Sequence, residues 1–351
     1  MKKTATVFLS LIVLGVCSSG ASASDTVPNS GILLYHNYSS YENLDSRLYQ
    51  YNFKDNAFTE IKKEGFSHAM NADFGSHPYD ITFMAIDTQY DEWDIYRYNS
   101  YNGEIINLTP NSGFRNEDPK FSPDGNKIVF KRGYWSSEKN DFIYNLAEIE
   151  LKSGKITMLT DDDYEESMPY YTADGSNIFY ARSFEGESDI YVLDLRTGLS
   201  SPVYAEKGVL SYYPMVSDDK LYFTKWFSAD NRNDCIVRVD DNEISVMPFN
   251  DSNCNTSDVY PLSNGSMFFS STRNGSYDIF FYDGNTEYDI GFINTDLQEL
   301  GASYFSAEDA ERVLTETSDF LLNRSDCDKN MDADGDGTVS VFDLVALRKQ
   351  F

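Results

Sequence analysis

A short run of apolar and aromatic residues returns six times along the chain at nearly constant spacing. The central aromatic residues of these runs lie 48, 47, 50, 43 and 46 residues apart. They are Tyr35, Phe83, Phe130, Tyr180, Phe223 and Phe269. Self-similarity at such a period is typical of a solenoid, an array or a propeller, and it constrains the fold more than local propensity does.

Each run belongs to a unit of four short strands. In the clearest unit, the strand-like segment 167–175 ends in Asp-Gly, a tight-turn signal, directly before the run at 176–182. A further β-like run follows at 188–195, and a fourth strand comes after the next turn. Four antiparallel strands make one propeller blade, so the six units predict an all-β, six-bladed β-propeller.

The two ends of this repeat array complement each other. The first unit lacks a leading strand of its own, and a spare one follows the sixth unit at 300–306. We expect residues 302–305 to pair with residues 31–36, because this pairing would close the circle and remove an exposed sheet edge.

Two copies of the repeat carry a specific family resemblance. Residues 121–132 (FSPDGNKIVFKR) and 171–195 (YTADGSNIFYARSFEGESDIYVLDL) resemble the PD40, or WD40-like, repeat of TolB-like six-bladed propellers. The resemblance covers about residues 30–305. It implies four-stranded antiparallel blades but no particular activity, because one fold can host many functions.

The first 23 residues are typical of an export signal. Lys2 and Lys3 precede an apolar segment at 7–16, and Ala21-Ser22-Ala23 is a cleavage motif. We therefore expect an exported protein, periplasmic or secreted, with no transmembrane segment. A lipoprotein cut before Cys17 is the alternative. The predicted domains are the propeller at 24–305, a helix and linker at 306–324, and a loop–helix unit at 325–351.

Charge and cysteine content limit the partners. The net charge of −29 argues against nucleic acid and anionic membranes, which it would repel. After removal of the signal, Cys235, Cys254 and Cys327 remain, an odd number that leaves one thiol unpaired or paired between chains. Cys235 and Cys254 could form a disulfide or stay as buried thiols, and their spacing does not decide between the two.

No stretch carries a recognisable catalytic motif. There is no G-x-S-x-G nucleophile elbow, and the histidines, His36, His68 and His77, have no metal-ligand spacing, although they could converge on one side of the ring. We therefore predict no catalytic residues, no organic cofactor and no peptidase or esterase activity.

The segment DADGDGTVSVFD at 332–343 matches a twelve-residue calcium loop. Carboxylates at positions 1, 3 and 5, a glycine at 6, a carbonyl at 7, a water-mediated contact at 9 and a two-oxygen clamp at 12 are what such a loop requires. The predicted Ca²⁺ ligands are Asp332, Asp334, Asp336, Thr338, Ser340 and Asp343.

The loop and its following helix resemble one type I dockerin repeat, because position 12 is Asp343 rather than glutamate. Dockerins carry two such repeats and this chain carries one. The resemblance implies a cohesin-like protein partner, which we treat as an expectation to be tested. A helix at 307–322, capped by Ser306 and Asp309, is expected to cover the apolar terminal helix. Another chain could cover it instead. The core of the propeller is expected to exclude the loop.

Two functions remain open at this point. The first is an exported, non-catalytic propeller that binds a protein or glycan partner and carries a calcium-dependent C-terminal docking module. The second is a secreted carbohydrate-active enzyme, a polysaccharide hydrolase or lyase, with a dockerin-like tail.

We predict that Asp332→Ala or Asp343→Ala abolishes tight calcium binding and makes the tail sensitive to protease. Without the ion, the clustered carboxylates repel one another at close range. Limited proteolysis in calcium and in chelator tests this. Equal cleavage of the tail in both conditions would show that the loop is not a working site.

Overall fold

The computed structural model describes residues 27–227, 232–241, 243–322, 331–333 and 338–351. The predicted signal segment, Cys327, Asp334 and Asp336 lie outside these residues. The described part of the chain is built from one repeated unit, a meander of four antiparallel strands.

The strands of the first half, in chain order, are β1 (Ile32–Tyr38), β2 (Arg47–Asn52), β3 (Ala57–Ile61), β4 (Phe66–Phe74), β5 (Asp80–Asp87), β6 (Glu92–Asn99), β7 (Glu104–Asn107), β8 (Arg115–Phe121), β9 (Lys127–Ser136), β10 (Asp141–Glu150), β11 (Lys155–Met158) and β12 (Glu165–Tyr171). A 3-10 turn at Tyr41–Asn43 separates β1 from β2.

The strands of the second half are β13 (Asn177–Phe184), β14 (Glu187–Asp194), β15 (Leu199–Tyr204), β16 (Leu210–Ser217), β17 (Lys220–Trp226), β18 (Cys235–Asp240), β19 (Glu243–Val246), β20 (Thr256–Pro261), β21 (Met267–Ser271), β22 (Asp278–Tyr282), β23 (Glu287–Asp289) and β24 (Gln298–Phe305).

The strands pair into meanders in chain order, with one exception. Meanders 2 to 6 are β4–β7, β8–β11, β12–β15, β16–β19 and β20–β23. Meanders 4 and 5 are joined into one sheet by a single parallel bridge between Ser188 and Leu210. Meander 1 has the order β24-β1-β2-β3, so its leading strand comes from the far end of the repeat array.

The predicted pairing of 302–305 with 31–36 is confirmed. Ile32 lies opposite Phe305 and Leu34 opposite Ser303 in an antiparallel ladder that continues, after a bulge, to Tyr38 opposite Gln298. As a result β1 is paired on both sides, with β2 and with β24.

The leading strands, β24, β4, β8, β12, β16 and β20, form a closed series. Each contacts the next, and β20 contacts β24. One hydrophobic cluster lies between each pair of neighbouring meanders, including the sixth and the first. Because meanders pack face to face, middle strands such as β21 and β22 are buried along their whole length. This explains why they appear in the sequence as continuous apolar runs.

Two helices follow β24. Helix α1 (Ala307–Leu321) begins at Ser306, which forms a capping box with Asp309, as predicted. Helix α2 (Val341–Gln350) begins at Ser340, which forms a second capping box with Asp343. The two helices contact each other, in agreement with the predicted cover of α2 by α1. Neither helix, nor any other in the described ranges, is long and apolar enough to cross a bilayer.

The expectation that the propeller core excludes the calcium loop is wrong. Ala333 of the loop and Ala346 and Leu347 of α2 belong to the same hydrophobic cluster as meanders 1 and 2. The Tyr79 hydroxyl donates a hydrogen bond to the carbonyl of Ala346, and the ring of Phe351 packs against that of Phe305. The physical reason is that α2 is apolar and α1 covers only part of it, so the seam between the two meanders covers the rest. Val341, Phe342 and Val345 stay exposed.

Because α2 is part of this cluster, we predict that Leu347→Ala destabilises the propeller and not only the tail. Truncation of a buried leucine costs about 2–5 kcal/mol. The chain's tryptophans, Trp93, Trp135 and Trp226, lie in meander strands, so the midpoint of thermal unfolding followed by tryptophan fluorescence should fall.

The matched control is Val345→Ala, on the exposed side of the same helix. It should leave the midpoint nearly unchanged. An unchanged tryptophan transition in Leu347→Ala would show that the tail folds independently of the meanders.

Candidate functional site: the channel between the leading strands

Every leading strand contains a residue with left-handed backbone conformation at a break in its ladder, and β4 contains a second one, His68, nearer its start. Their φ angles lie between 52° and 67°. We call them the waist residues: Asn71, Asp118, Met168, Tyr213, Asp258 and Gly301. All of them line one cavity of about 70 Å³, which places them around a common axis. The left-handed conformation costs roughly 1–2 kcal/mol for a residue with a Cβ, so its recurrence marks a position where the strands must bulge.

The backbone at the waist is repeated but the side chains are not. An amide, two carboxylates, a thioether, a phenol and a glycine occupy equivalent positions. A feature repeated in every meander is architecture, whereas unlike side chains at equivalent positions make a site that is unique within the ring. The channel is therefore the candidate functional site.

His36 takes the place of the missing side chain at Gly301. A Cβ at Gly301 would lie 2.5 Å from the Nδ1 and Cε1 atoms of His36, so glycine is needed there for space as well as for its positive φ. His36 Nδ1 accepts a hydrogen bond from the backbone N–H of Asn71 at 3.4 Å, and Asn71 Nδ2 donates to Asp118 Oδ1 at 2.8 Å. One side of the waist is thus a connected polar chain.

The channel widens at the upper end, where the leading strands begin. This funnel has a volume of about 290 Å³ and is continuous with the waist. Its wall carries Tyr38, Tyr41 and Tyr144 together with an ionic network. Lys131 Nζ lies 2.9 Å from Glu165, 3.3 Å from Glu117 and 3.9 Å from the centre of the Tyr144 ring.

The basic groups of the funnel are held by carboxylates. Arg115 Nη2 lies 2.7 Å from Glu117. Burial alone would lower the pKa of Lys131, but Glu117 and Glu165 raise it above its usual value, so this lysine stays charged. The funnel therefore offers aromatic faces and fixed charges side by side.

Asp258 is the most perturbed acid of the waist. Burial, reinforced by the negative charge of Asp234, raises the pKa of Asp258 to about 7, against the opposing charges of Arg232 and Lys120. Within the described residues, its Oδ1 is buried and has no hydrogen-bond partner. Burial also raises the pKa of Asp118.

The lower end of the channel lies beside the tail. A cavity of about 500 Å³ there is lined by Asp73, Tyr170 and Tyr260 and by Asp309 and Arg312 of α1. Helix α1 therefore borders the lower mouth, and the lining of the upper funnel contains no residue of α1 or α2.

The histidines do not converge. His36 and His68 lie near each other toward the upper end, and His68 Nδ1 accepts a hydrogen bond from the backbone of Ser46 at 3.0 Å. His77 lies at the opposite end, where the charges of Asp80, Asp343 and Glu316 act on it. The idea that all of them meet on one side of the ring is wrong, because His68 lies near the start of β4 and His77 follows the end of that strand.

Four of the predicted calcium ligands, Asp332, Thr338, Ser340 and Asp343, are described. The Asp343 carboxylate is fully buried and accepts hydrogen bonds from the backbone N–H groups of Ala333, at 2.7 Å, and Ser340, at 2.5 Å. These donors belong to loop positions 2 and 9, so Asp343 bridges the two arms of the loop. Among the residues that the structure describes, no group of three or more acidic, histidine or cysteine side chains is placed to hold a metal ion, and Asp334 and Asp336 lie outside those residues. The calcium ligands therefore stay a prediction.

Asp332 lies beside meander 2. Burial would lower the pKa of the Arg97 guanidinium, but the ion pair with Asp80 and the nearby charge of Asp332 raise it.

Away from the loop, the Cys235 and Cys254 thiols are both free and half-buried.

Sequence reasoning missed the waist. A signal was present: the waist residue directly precedes a proline in three leading strands, at Asp118-Pro119, Met168-Pro169 and Tyr213-Pro214. Superposing the units on these prolines would have drawn attention to the position. That the residue before them bulges into a channel could not be inferred without the ring.

Comparison with solved structures identifies the architecture. The chain superposes on hydrazine synthase from Kuenenia stuttgartiensis with a TM-score of 0.66 and 13% identity, over 79% of this chain and 47% of that one. It superposes on TolB from Acinetobacter baumannii with a TM-score of 0.60 and 16% identity, over 79% of this chain and 67% of that one. The fold is a TolB-like β-propeller. At this level of identity the likeness concerns the fold alone.

A curated relative matches over a shorter stretch. Dipeptidyl-peptidase 5 from Porphyromonas gingivalis is 32% identical over 110 residues, which are 30% of this chain and 15% of the peptidase. The match thus spans a small part of the peptidase's length. No protein-family model matches the chain.

Since the pKa of Asp258 is about 7 in the folded protein and near 3.9 when unfolded, its ionisation opposes folding. The folded state holds a proton that the unfolded state has lost between these pH values. Stability should therefore fall as pH rises toward 7 and then level off. We predict that Asp258→Asn, which cannot ionise, gains stability relative to the wild type between pH 5 and pH 8.

Thermal unfolding followed by circular dichroism at several pH values tests this prediction. Asparagine suits the left-handed backbone, as Asn71 shows at the equivalent position. Asp296→Asn, which removes an exposed carboxylate outside the waist, is the matched control for the loss of one negative charge. A constant difference for Asp258→Asn would contradict the assignment.

Proposed function

We propose that this chain is an exported, non-catalytic six-bladed β-propeller that binds a ligand through the upper funnel and waist of its channel. In this proposal each meander is one blade. The observation that carries it is the waist: one strained backbone position, repeated in every leading strand, holds five different residue types in six strands. Such a ring is suited to recognition, because strained residues often lie at functional sites, where the surrounding fold holds them in place.

The chemistry of the funnel supports a polypeptide as the ligand. Its tyrosine faces can cover apolar side chains, and its paired charges, Arg115 with Glu117 and Lys131 with Glu165, can exchange partners with a peptide backbone or side chain. The 110-residue similarity to a dipeptidyl-peptidase also favours a peptide over a glycan. Within the described residues, the hydrogen bonds of the histidines supply no base for a serine or cysteine nucleophile.

We further propose that the tail binds Ca²⁺ through Asp332, Asp334, Asp336, Thr338, Ser340 and Asp343. The buried, doubly hydrogen-bonded Asp343 carboxylate supports the proposal. Bound calcium would offset part of the negative charge of this loop and hold α2 against the seam of meanders 1 and 2. The exposed residues Val341, Phe342 and Val345 would then form a docking face for a protein partner.

We predict that Tyr41→Ala weakens ligand binding by about tenfold, since an interface aromatic contributes on the order of 1–2 kcal/mol. Tyr41 is 44% exposed at the rim of the funnel, with its hydroxyl 3.4 Å from Arg115. Ligands would first be selected by screening the purified, calcium-loaded protein against a random peptide library and a polysaccharide array. Affinities would then be measured by calorimetry.

The matched control is Tyr90→Ala. Tyr90 is 42% exposed on the β5–β6 turn, outside the funnel, and its removal should not affect binding. Ligands that lose no affinity in Tyr41→Ala would place the site elsewhere. Conversion of a selected polysaccharide into shorter products would favour the carbohydrate-active enzyme over the binding protein.

A further inference from the structure

The waist has an uneven distribution of charge. Asp118 lies on β8 and Asp258 on β20, and the order of the leading strands places two other strands between them in either direction. The two carboxylates therefore face the waist cavity from opposite sides. Between them lie the apolar or aromatic groups of Met168 and Tyr213 on one arc, and Gly301 and Asn71 on the other.

The nearby basic side chains are paired with other carboxylates. Lys131 pairs with Glu117 and Glu165, Arg232 with Asp234 at 2.5 Å, and Lys120 with Asp73 at 3.4 Å. Asp118 has the amide of Asn71 as its hydrogen-bond donor. The Oδ1 atom of Asp258 is buried and has none among the described residues, although Asp258 as a whole is partly exposed and the Ser257 side chain hydrogen-bonds its carboxylate. A buried carboxylate oxygen without a donor is costly unless a ligand supplies one.

The rest of the wall selects the kind of cation. Ca²⁺ and Mg²⁺ need about six or more oxygen ligands, whereas half of the residues that line the waist are apolar: Met168, Pro169, Pro214, Met215, Val259 and Ala302. Lys120 also lines the waist, and its ammonium group pairs with Asp73. An aliphatic chain that ends in an ammonium or guanidinium group matches both the apolar wall and the carboxylates, and the face of Tyr213 adds a favourable surface for a cation.

The dimensions fit the same ligand. The waist holds about 70 Å³ and the funnel above it about 290 Å³. The end of one side chain fits the waist while the adjoining backbone lies in the funnel.

We infer that the waist binds an organic cation carried by a polypeptide: a lysine or arginine side chain, or a terminal ammonium group. Asp258 is the principal acceptor and Asp118 the second. This inference rests on the proposed function, because it names the chemical group that the channel recognises.

Calorimetry of the calcium-loaded protein with four pentapeptides tests it. The first is glycine with a central lysine, blocked at both ends. The second has arginine in place of the lysine, and the third has norleucine, which keeps the aliphatic chain and lacks the charge. The fourth is pentaglycine with a free amino terminus. Binding of the first two peptides indicates a side chain as the natural source, and binding of the fourth alone indicates a terminus. The norleucine peptide should not bind.

Asp258→Asn should weaken binding of the cationic peptide by about tenfold or more, since a hydrogen bond to a charged group contributes on that scale. Affinity should also fall as pH drops below 7, when Asp258 becomes protonated. The charged groups that face Asp258 are Asp234, which pairs with Arg232, and Lys120, which pairs with Asp73, while Asp118 lies across the waist. Asp296→Asn is the control for charge alone, and circular dichroism verifies that both variants are folded.

Equal binding of the lysine and norleucine peptides, or full affinity in Asp258→Asn, would overturn the inference. Ca²⁺ binding should also be measured in Asp332→Ala, with and without the additional substitution Asp258→Asn. If Asp332→Ala binds Ca²⁺ and Asp258→Asn abolishes that binding, the waist is a metal site and the inference is overturned. If ligands selected in the library screen depend on Tyr41 but not on Asp258, the waist inference fails while the proposed function stands.

Discussion

The antiparallel pairing of β1 with β24 is the contact on which the other features depend. It joins the two ends of the repeat array, so it completes the first sheet and allows a hydrophobic cluster to form between the sixth and first meanders. It also places Gly301 at the waist and starts α1 directly from the closing strand. Because the paired segments are the first and last strands of the chain, this ladder is formed at a high cost in chain entropy, which the burial on both sides of it must offset.

The ring combines exact repetition of backbone with variation of side chains. A bulge at the same level of every leading strand gives each meander one position on the channel axis. Folding requires only that the bulge be present, because the bulge bends each leading strand where the strands pack around a narrow axis. The side chain at that position is then free to vary without loss of the fold, which is how one channel comes to carry opposed carboxylates and an apolar arc.

The helical tail is a structural part of the ring. Ala346 and Leu347 lie in the seam between meanders 1 and 2, next to the strand that closes the circle. An ion that ordered the loop would stabilise this seam by linkage, because binding to the folded state alone adds to its stability. The same tail borders the lower mouth of the channel, so the site in the channel and the proposed calcium loop share one framework.

The period of the aromatic runs was sufficient to predict the strands, the four-stranded unit and even the partner of the closing strand, because strand alternation and turn residues are local properties. Ser306 was likewise recognised as a helix cap from its neighbours. The waist could not be predicted, since Asp118 and Asp258 are 140 residues apart and face each other only because six meanders close into a ring. The docking of Leu347 was also decided by tertiary structure: an apolar helix needs cover, but only the folded ring determines which surface provides it.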